Sequence, residues 1–495
     1  MNYINHYITD NSKKILKFLN LKNDRMHTNK LLITSFQNYK KYFLKTKTNI
    51  HVNIVKNDIK DKMIDFYHNF IDENVSNNNF INDINSLKNV YEGYIEDNEI
   101  FKFYLYHNDI NYITKILHLF NIFTNCTFEN QEKRLQFFNS FLKYTNVITN
   151  NKLNYKSFPV YIYPNNIKRN LISSSFKKQH LNMYKLENTA FTTSGVTSTG
   201  SYVYFTKKQE LSKLQLHELI HLYKLDGSYM KSNDYLDNIR SNMPFQDNNE
   251  EIESTAEFLS NIYNCMNLCL VISKEHNLNE QEEINLLEQL IHIEKEYSFY
   301  AVAKILKYFN VKPNDLFNYP INKIELVSPI NLYYIIRSII FYYYDDLFIN
   351  DNFNLKYQVL EFNDNIFKEL QKYISNIDNS SYFDKINNYY YSDIISSDNS
   401  ISYICLDINF DNINFENIQL NEYGSNSFGK VQHRYITGYD KIMNDLLDNN
   451  IFSNQNQYLA NKLKNALHSA IQPQKGGSYH YKYLKYKSKY LSLKK

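Results

Sequence analysis

The segment Leu214-Gln215-Leu216-His217-Glu218-Leu219-Ile220-His221-Leu222 sets two histidines four residues apart, with a glutamate directly after the first. Residues four apart share one face of an α-helix, so His217 and His221 can offer two imidazoles to one ion. Zn²⁺ suits such a pair because it accepts two nitrogens and a carboxylate while keeping a position for water. Glu218 would then stand beside that open position, where a base is needed. Leu214, Leu216, Leu219, Ile220 and Leu222 make the predicted helix apolar nearly all round, and hence buried. Two imidazoles and a carboxylate buried without a partner would be costly, and a bound metal removes that cost.

The neighbouring sequence frames this helix. Residues 158–164 read as a short Pro-bounded strand, and 186–192 and 202–206 as two strands around a turn containing Gly195 and Gly200. Thr206 and Gln209 have the spacing of a capping box that would start the helix, and Asp226-Gly227 is a plausible stop. A third protein ligand is expected from the following helix, within Asn248-Asn249-Glu250-Glu251-Ile252-Glu253-Ser254-Thr255-Ala256-Glu257. Glu253 and Glu257 lie one turn apart on one face, with small Ala256 permitting close packing. Glu253 is the expected ligand, with Glu250 as the alternative, and Glu257 could accept the spare ring N–H of a ligand histidine. Glu250 and Glu251 also suit an acidic first turn facing the helix dipole.

His217-Glu218-x-x-His221 followed 32 residues later by Glu253-x-x-Ala256-Glu257 resembles the gluzincin metallopeptidases. Lys224 and Gly227 stand where a metzincin would have Gly and His. Asn188-Thr189-Ala190-Phe191 is similar to the gluzincin edge strand, whose backbone binds an extended peptide by strand addition. The resemblance covers roughly residues 155–270. It implies an α+β, mainly helical, zincin-like fold with a small mixed sheet, and one Zn²⁺ per chain held by His217, His221 and Glu253. The implied activity is that of an endopeptidase on a protein or peptide substrate. Glu218 would take a proton from the zinc-bound water and return it to the leaving amine. The family's oxyanion donor is a Tyr, His or Arg; the candidates here are Arg337 with Tyr333 and Tyr334, or the stretch 424–439 with His433, Arg434, Tyr435 and Tyr439. The alternative is a catalytically inactive zincin-fold virion or scaffold protein, against which Glu218 argues, since a structural site has no use for a base.

Beyond this unit, 281–310 and 330–348 read as long helices, and 1–150 as mainly helical. Residues 351–470 mix helix with Asn/Asp-rich loops and strand-like runs such as Ile401-Ser402-Tyr403-Ile404-Cys405-Leu406. The expected organisation is therefore a helical region 1–150, a metallopeptidase domain 151–350, a mixed region 351–470 and a basic tail 471–495. The last 25 residues hold seven Lys and no acid, so the net charge of +3 becomes −4 without them. That Tyr/Lys-rich ending, Tyr481-Lys482-Tyr483-Leu484-Lys485-Tyr486-Lys487, resembles a tail seen on proteins of mimivirus-like giant DNA viruses. The chain thus resembles the predicted metallopeptidases of such viruses, and its wealth of Asn, Ile, Lys and Tyr, all with AT-rich codons, suits that origin. The tail from Gln472 could bind nucleic acid, an anionic membrane or an acidic partner.

Hydrophobic content of 43% argues against disorder. Four scattered cysteines, Cys126, Cys265, Cys269 and Cys405, are too few for a disulfide framework. The longest apolar run, 330–344, carries Arg337 and is short for a membrane span. With no signal-peptide core in the first 20 residues, the expectation is a soluble, intracellular protein, in host cytoplasm or virion if viral.

Overall fold

A computed structural model describes residues 3–19, 30–55, 84–87, 89–98, 101–129, 158–165, 190–193, 202–207, 210–227, 245–246, 250–316, 324–325, 330–349, 359–362, 364–377, 381–393 and 400–423, with a few single positions between them. The described residues are mainly helical and carry one mixed seven-stranded sheet.

The sheet strands are β1 (Thr48–Val55), β2 (Val90–Ile95), β3 (Phe101–Leu105), β4 (Phe158–Asn165), β5 (Ala190–Thr193), β6 (Tyr202–Lys207) and, near the end of the described chain, Ile418–Tyr423. Their order runs β5, β6, β4, β3, β2, β1 and then Ile418–Tyr423. β4 lies parallel to both β3 and β6, while β1 and β2 pair antiparallel, as do β2 and β3. β5 is an antiparallel edge on β6, pairing Ala190 with Phe205 and Thr193 with Tyr202. The expected hairpin is therefore present, although its turn through Gly195 and Gly200 lies outside the described residues. On β2, Gly93 passes so close to β1 that a Cβ there would meet the His51 carbonyl oxygen at 2.7 Å.

The sheet draws on regions expected to be separate. The described residues of 1–150 hold more helix than strand, but Ile/Val/Tyr-rich runs there also supply β1, β2 and β3. The sheet also crosses the expected divisions at 150 and 350, since Ile418–Tyr423 pairs parallel with β1, matching Thr48 with Ile418. Alternation in these short strands is the same signal that marked β4 to β6, but Asn and Tyr dilute it.

Helices pack on this sheet and on one another. α1 (Ile110–Phe128) is buried along nearly its whole length and packs against β1 and the helix carrying His217 and His221, α2 (Leu211–Leu222). α2 lies on β5 and β6 and on α3 (Glu250–His276). α3 in turn packs on α4 (Glu280–Tyr308) and α5 (Ile330–Tyr342). α4 starts at a full capping box, in which Asn279 accepts from Glu282 N–H and Glu282 accepts from Asn279 N–H. Cys126, Cys265, Cys269 and Cys405 are all buried free thiols. Among the described residues no helix is long and apolar enough to cross a membrane.

Residues 401–406 are buried but do not form the expected strand. Their backbone groups bond to side chains instead. Tyr403 N–H donates to Glu210 at 2.7 Å, and the N–H groups of Cys405 and Leu406 donate to Glu294 at 3.1 and 2.7 Å. The Ser402 carbonyl accepts from Tyr297 and Tyr334, and that of Leu406 from Asn264. An extended segment so satisfied needs no neighbouring strand.

Candidate metal centre

α2 is set by distant partners at its N-terminal end and by local chain geometry at its C-terminal end. Its N-terminal neighbour is Glu210, a non-glycine in the left-handed region at φ 63°, whose carboxylate bonds the Tyr403 N–H instead of capping the helix. The Glu210 N–H donates to Asp407 at 3.1 Å. Thr206, expected to cap the helix together with Gln209, instead lies in β6, and Gln209 lies outside the described residues; the helix begins at Leu211. At the other end the helix stops earlier than Asp226-Gly227. Leu225 N–H bonds the Ile220 carbonyl and Lys224 N–H that of His221, with Lys224 at φ 55°. This is a Schellman motif with lysine where glycine is usual. Gly227 does take a positive φ of 81°, one turn further on.

The tight reversal brings Asp226 back over the helix end, where its Oδ2 lies 2.5 Å from His221 Nδ1. His221 therefore presents Nε2 on its other side. His217 Nε2 lies 3.0 Å from His221 Nε2, and Glu253 Oε2 lies 3.1 Å from each. The expected trio is thus brought together by α2 and α3, and these residues form a group that can hold a metal ion. Glu250 opens α3, but its side chain lies outside the described residues.

The geometry fits zinc. Bonds of about 2.0–2.1 Å at tetrahedral angles place neighbouring ligand atoms about 3.3 Å apart, close to these separations. Charge fits as well. Asp226, Glu253 and Glu257 bring three carboxylates, against Lys213 and Arg337 as cations. The net charge that remains is negative, the sign that a cation, or protons on the imidazoles, would balance.

Those protons are favoured in the metal-free protein. Burial opposes charge on His217, but Glu257 and Glu253 outweigh it and raise its pKa. At His221 burial is likewise outweighed, by Glu253 and Asp226, and the pKa stands well above its usual value. Glu253 is held well below the usual carboxylate range despite burial, through His221 and His217. Glu257, also buried, is brought down to about 2 by Lys213, His217 and Arg337.

Glu257 Oε1 lies 3.1 Å from His217 Nδ1, with the N–H direction off the line of contact. Glu257, expected to support a ligand histidine, stands beside His217 Nδ1 as an ion-pair partner without a hydrogen bond formed to it. Lys213 contacts the same carboxylate oxygen, and Arg337 Nη1 lies 3.7 Å from the other. Arg337 is therefore on the Nδ1 side of His217, away from the Nε2 that faces His221 and Glu253, and donates to the Tyr403 carbonyl. Tyr334 donates to the Ser402 carbonyl at 2.6 Å. Both are withdrawn as oxyanion donors by this placement, and 424–439 lies outside the described residues, as does the tail.

Glu218 is buried at 3% exposure on the same helix, one residue beyond His217. Sequence reasoning missed Glu210, Lys213 and the supporting role of Asp226. Only Asp226 had a usable signal, since five residues after His221 it falls just past the helix end.

Comparison with known proteins gives no match to a family model, a curated protein or a solved structure.

Proposed function

We propose that the protein is a zinc-dependent endopeptidase whose metal is held by His217, His221 and Glu253, with Glu218 as the base. The observation that carries this reading is the convergence of His217 Nε2, His221 Nε2 and Glu253 Oε2 within 3.1 Å, with a carboxylate behind each imidazole. When bound, the ion would supply Lewis acidity to a substrate carbonyl and to the attacking water.

The chain's own residues supply the rest. Asp226 bonds His221 Nδ1 and Glu257 stands 3.1 Å from His217 Nδ1, an arrangement that favours the ring N–H at Nδ1 and leaves both Nε2 atoms for the ion. Glu253, a third exposed, and His221, at 16% of its side chain, leave the centre open on their side. Glu218 accepts a proton from water and returns it to the leaving amine. β5, the antiparallel edge of the sheet among the described residues and packed on α2, offers backbone groups to an extended peptide. The basic tail is a candidate second contact for an acidic partner, nucleic acid or membrane.

The test is cleavage of a peptide library by zinc-loaded protein, with Glu218→Gln alongside. Cleavage by the parent that is lost in the variant at equal zinc content supports the peptidase. Zinc uptake without cleavage by either protein would instead favour the non-catalytic scaffold.

A further inference from the structure

Building on the metal centre proposed above, we infer that Lys213 and Arg337 are positioning residues of that centre, acting on His217 through Glu257. Lys213 lies one turn before His217, on the face of α2 shared by His217 and His221. It has no solvent exposure, and Arg337 only 1%. A buried cation on a ligand helix is unfavourable unless it is paired.

Both cations converge on the one carboxylate behind His217. Lys213 Nζ contacts Glu257 Oε1, the oxygen that faces His217 Nδ1, while Arg337 Nη1 stands 3.7 Å from Oε2. Each cation is in turn fixed from behind. Lys213 Nζ sits 4.2 Å over the Tyr403 ring, and Arg337 lies 4.8 Å over the Tyr334 ring while donating to the Tyr403 carbonyl. The two cations hold Glu257 with Oε1 on the Nδ1 side of His217, which favours the ring N–H there and leaves Nε2 for the ion. Second-sphere partners of metal-bound histidines typically change affinity 10–100-fold when removed. Lys213 and Arg337 act one contact further out and extend that support.

The inference is tested by a double-mutant cycle read in metal affinity, using the full chain and competition with a chelator for Zn²⁺ and Co²⁺. Lys213→Met and Glu257→Gln should each weaken binding about tenfold or more. Their combination should bind no more weakly than Glu257→Gln alone, and Lys213→Arg should recover most of the loss. The visible spectrum of the Co²⁺ protein should shift in Lys213→Met and return in Lys213→Arg.

Affinity within about twofold of the parent in Lys213→Met, or losses that multiply in the double variant, would overturn the inference. If Lys213→Met does not fold, Arg337→Met in the parent and Glu257→Gln backgrounds makes the same comparison. A parent that takes up neither ion refutes the metal centre itself. That result is distinct from a parent that binds metal and is indifferent to Lys213.

Discussion

The two imidazoles of the centre are supported in opposite ways. His221 is backed by Asp226, five residues away and delivered by the turn that ends its own helix. His217 is backed by Glu257 from another helix, which is held by Lys213, Arg337 and, behind them, Tyr403. One half of the site is thus a product of local chain geometry, and the other of long-range packing. The first should form whenever the helix and its turn form. The second requires α2, α3, α5 and the buried segment 401–406 together.

The largest effect is expected where the halves meet. Glu253 contacts both imidazoles, so Glu253→Gln should weaken zinc binding by more than the roughly 100-fold upper range for supporting residues. Retained affinity in a chelator competition would show that another group supplies the third ligand.

The next effect separates the halves. Glu257→Gln leaves Lys213 and Arg337 buried without their carboxylate and should destabilise the metal-free protein by about 3–5 kcal/mol. Asp226→Asn should cost less, about 1–3 kcal/mol, as for one weakened buried hydrogen-bond partner. Urea unfolding of chelator-treated protein measures both, and equal losses would erase the distinction between local and long-range support.

A pH series sharpens the comparison. Both folded-state imidazole pKa values lie above the unfolded value of about 6.5. The metal-free fold therefore holds a contribution to stability that is fully present below that pH and lost as pH rises through the raised values. Metal affinity runs the other way, rising over the same window as the ion displaces those protons. His221 is raised the further, with Asp226 among the causes, so Asp226→Asn should lower the upper end of the window. Titration of stability and of metal affinity from pH 6 upward would read both signs. An unchanged window in the variant would remove Asp226 from the local half.

The smallest effect tests the turn itself. Lys224 holds a left-handed conformation that costs most side chains about 1 kcal/mol, so Lys224→Gly should stabilise by about 0.5–1 kcal/mol without altering metal affinity. A loss of stability would mean that Lys224 contributes a contact larger than its backbone strain.

The local half of this architecture was the legible half. Helical spacing alone put His217 and His221 together, and the same spacing on the next helix selected Glu253 and Glu257. The hairpin of β5 and β6 and the strand β4 showed in their composition. The long-range half was not legible, for physical reasons. Lys213 has no sequence mark that separates a buried lysine from a solvated one, and its value lies in a carboxylate 44 residues away. Residues 401–406 alternate like a strand, but side chains of α3, α4 and α5 take up their backbone groups. Thr206-x-x-Gln209 matched a capping pattern while sheet pairing claimed Thr206, a tertiary override of a local preference.

The buried segment also orders events in time. Tyr403 lies 190 residues after Lys213 in the chain, so during synthesis α2 and α3 emerge long before the piece that braces them. Such distant closure is slow, because chain entropy is lost before the contact is gained. A nascent chain can therefore assemble Asp226 and His221 early, but its second imidazole is braced only after the ribosome has passed residue 403. On the proposed function, this delay keeps the hydrolytic centre incompletely supported while most of the chain is still being made.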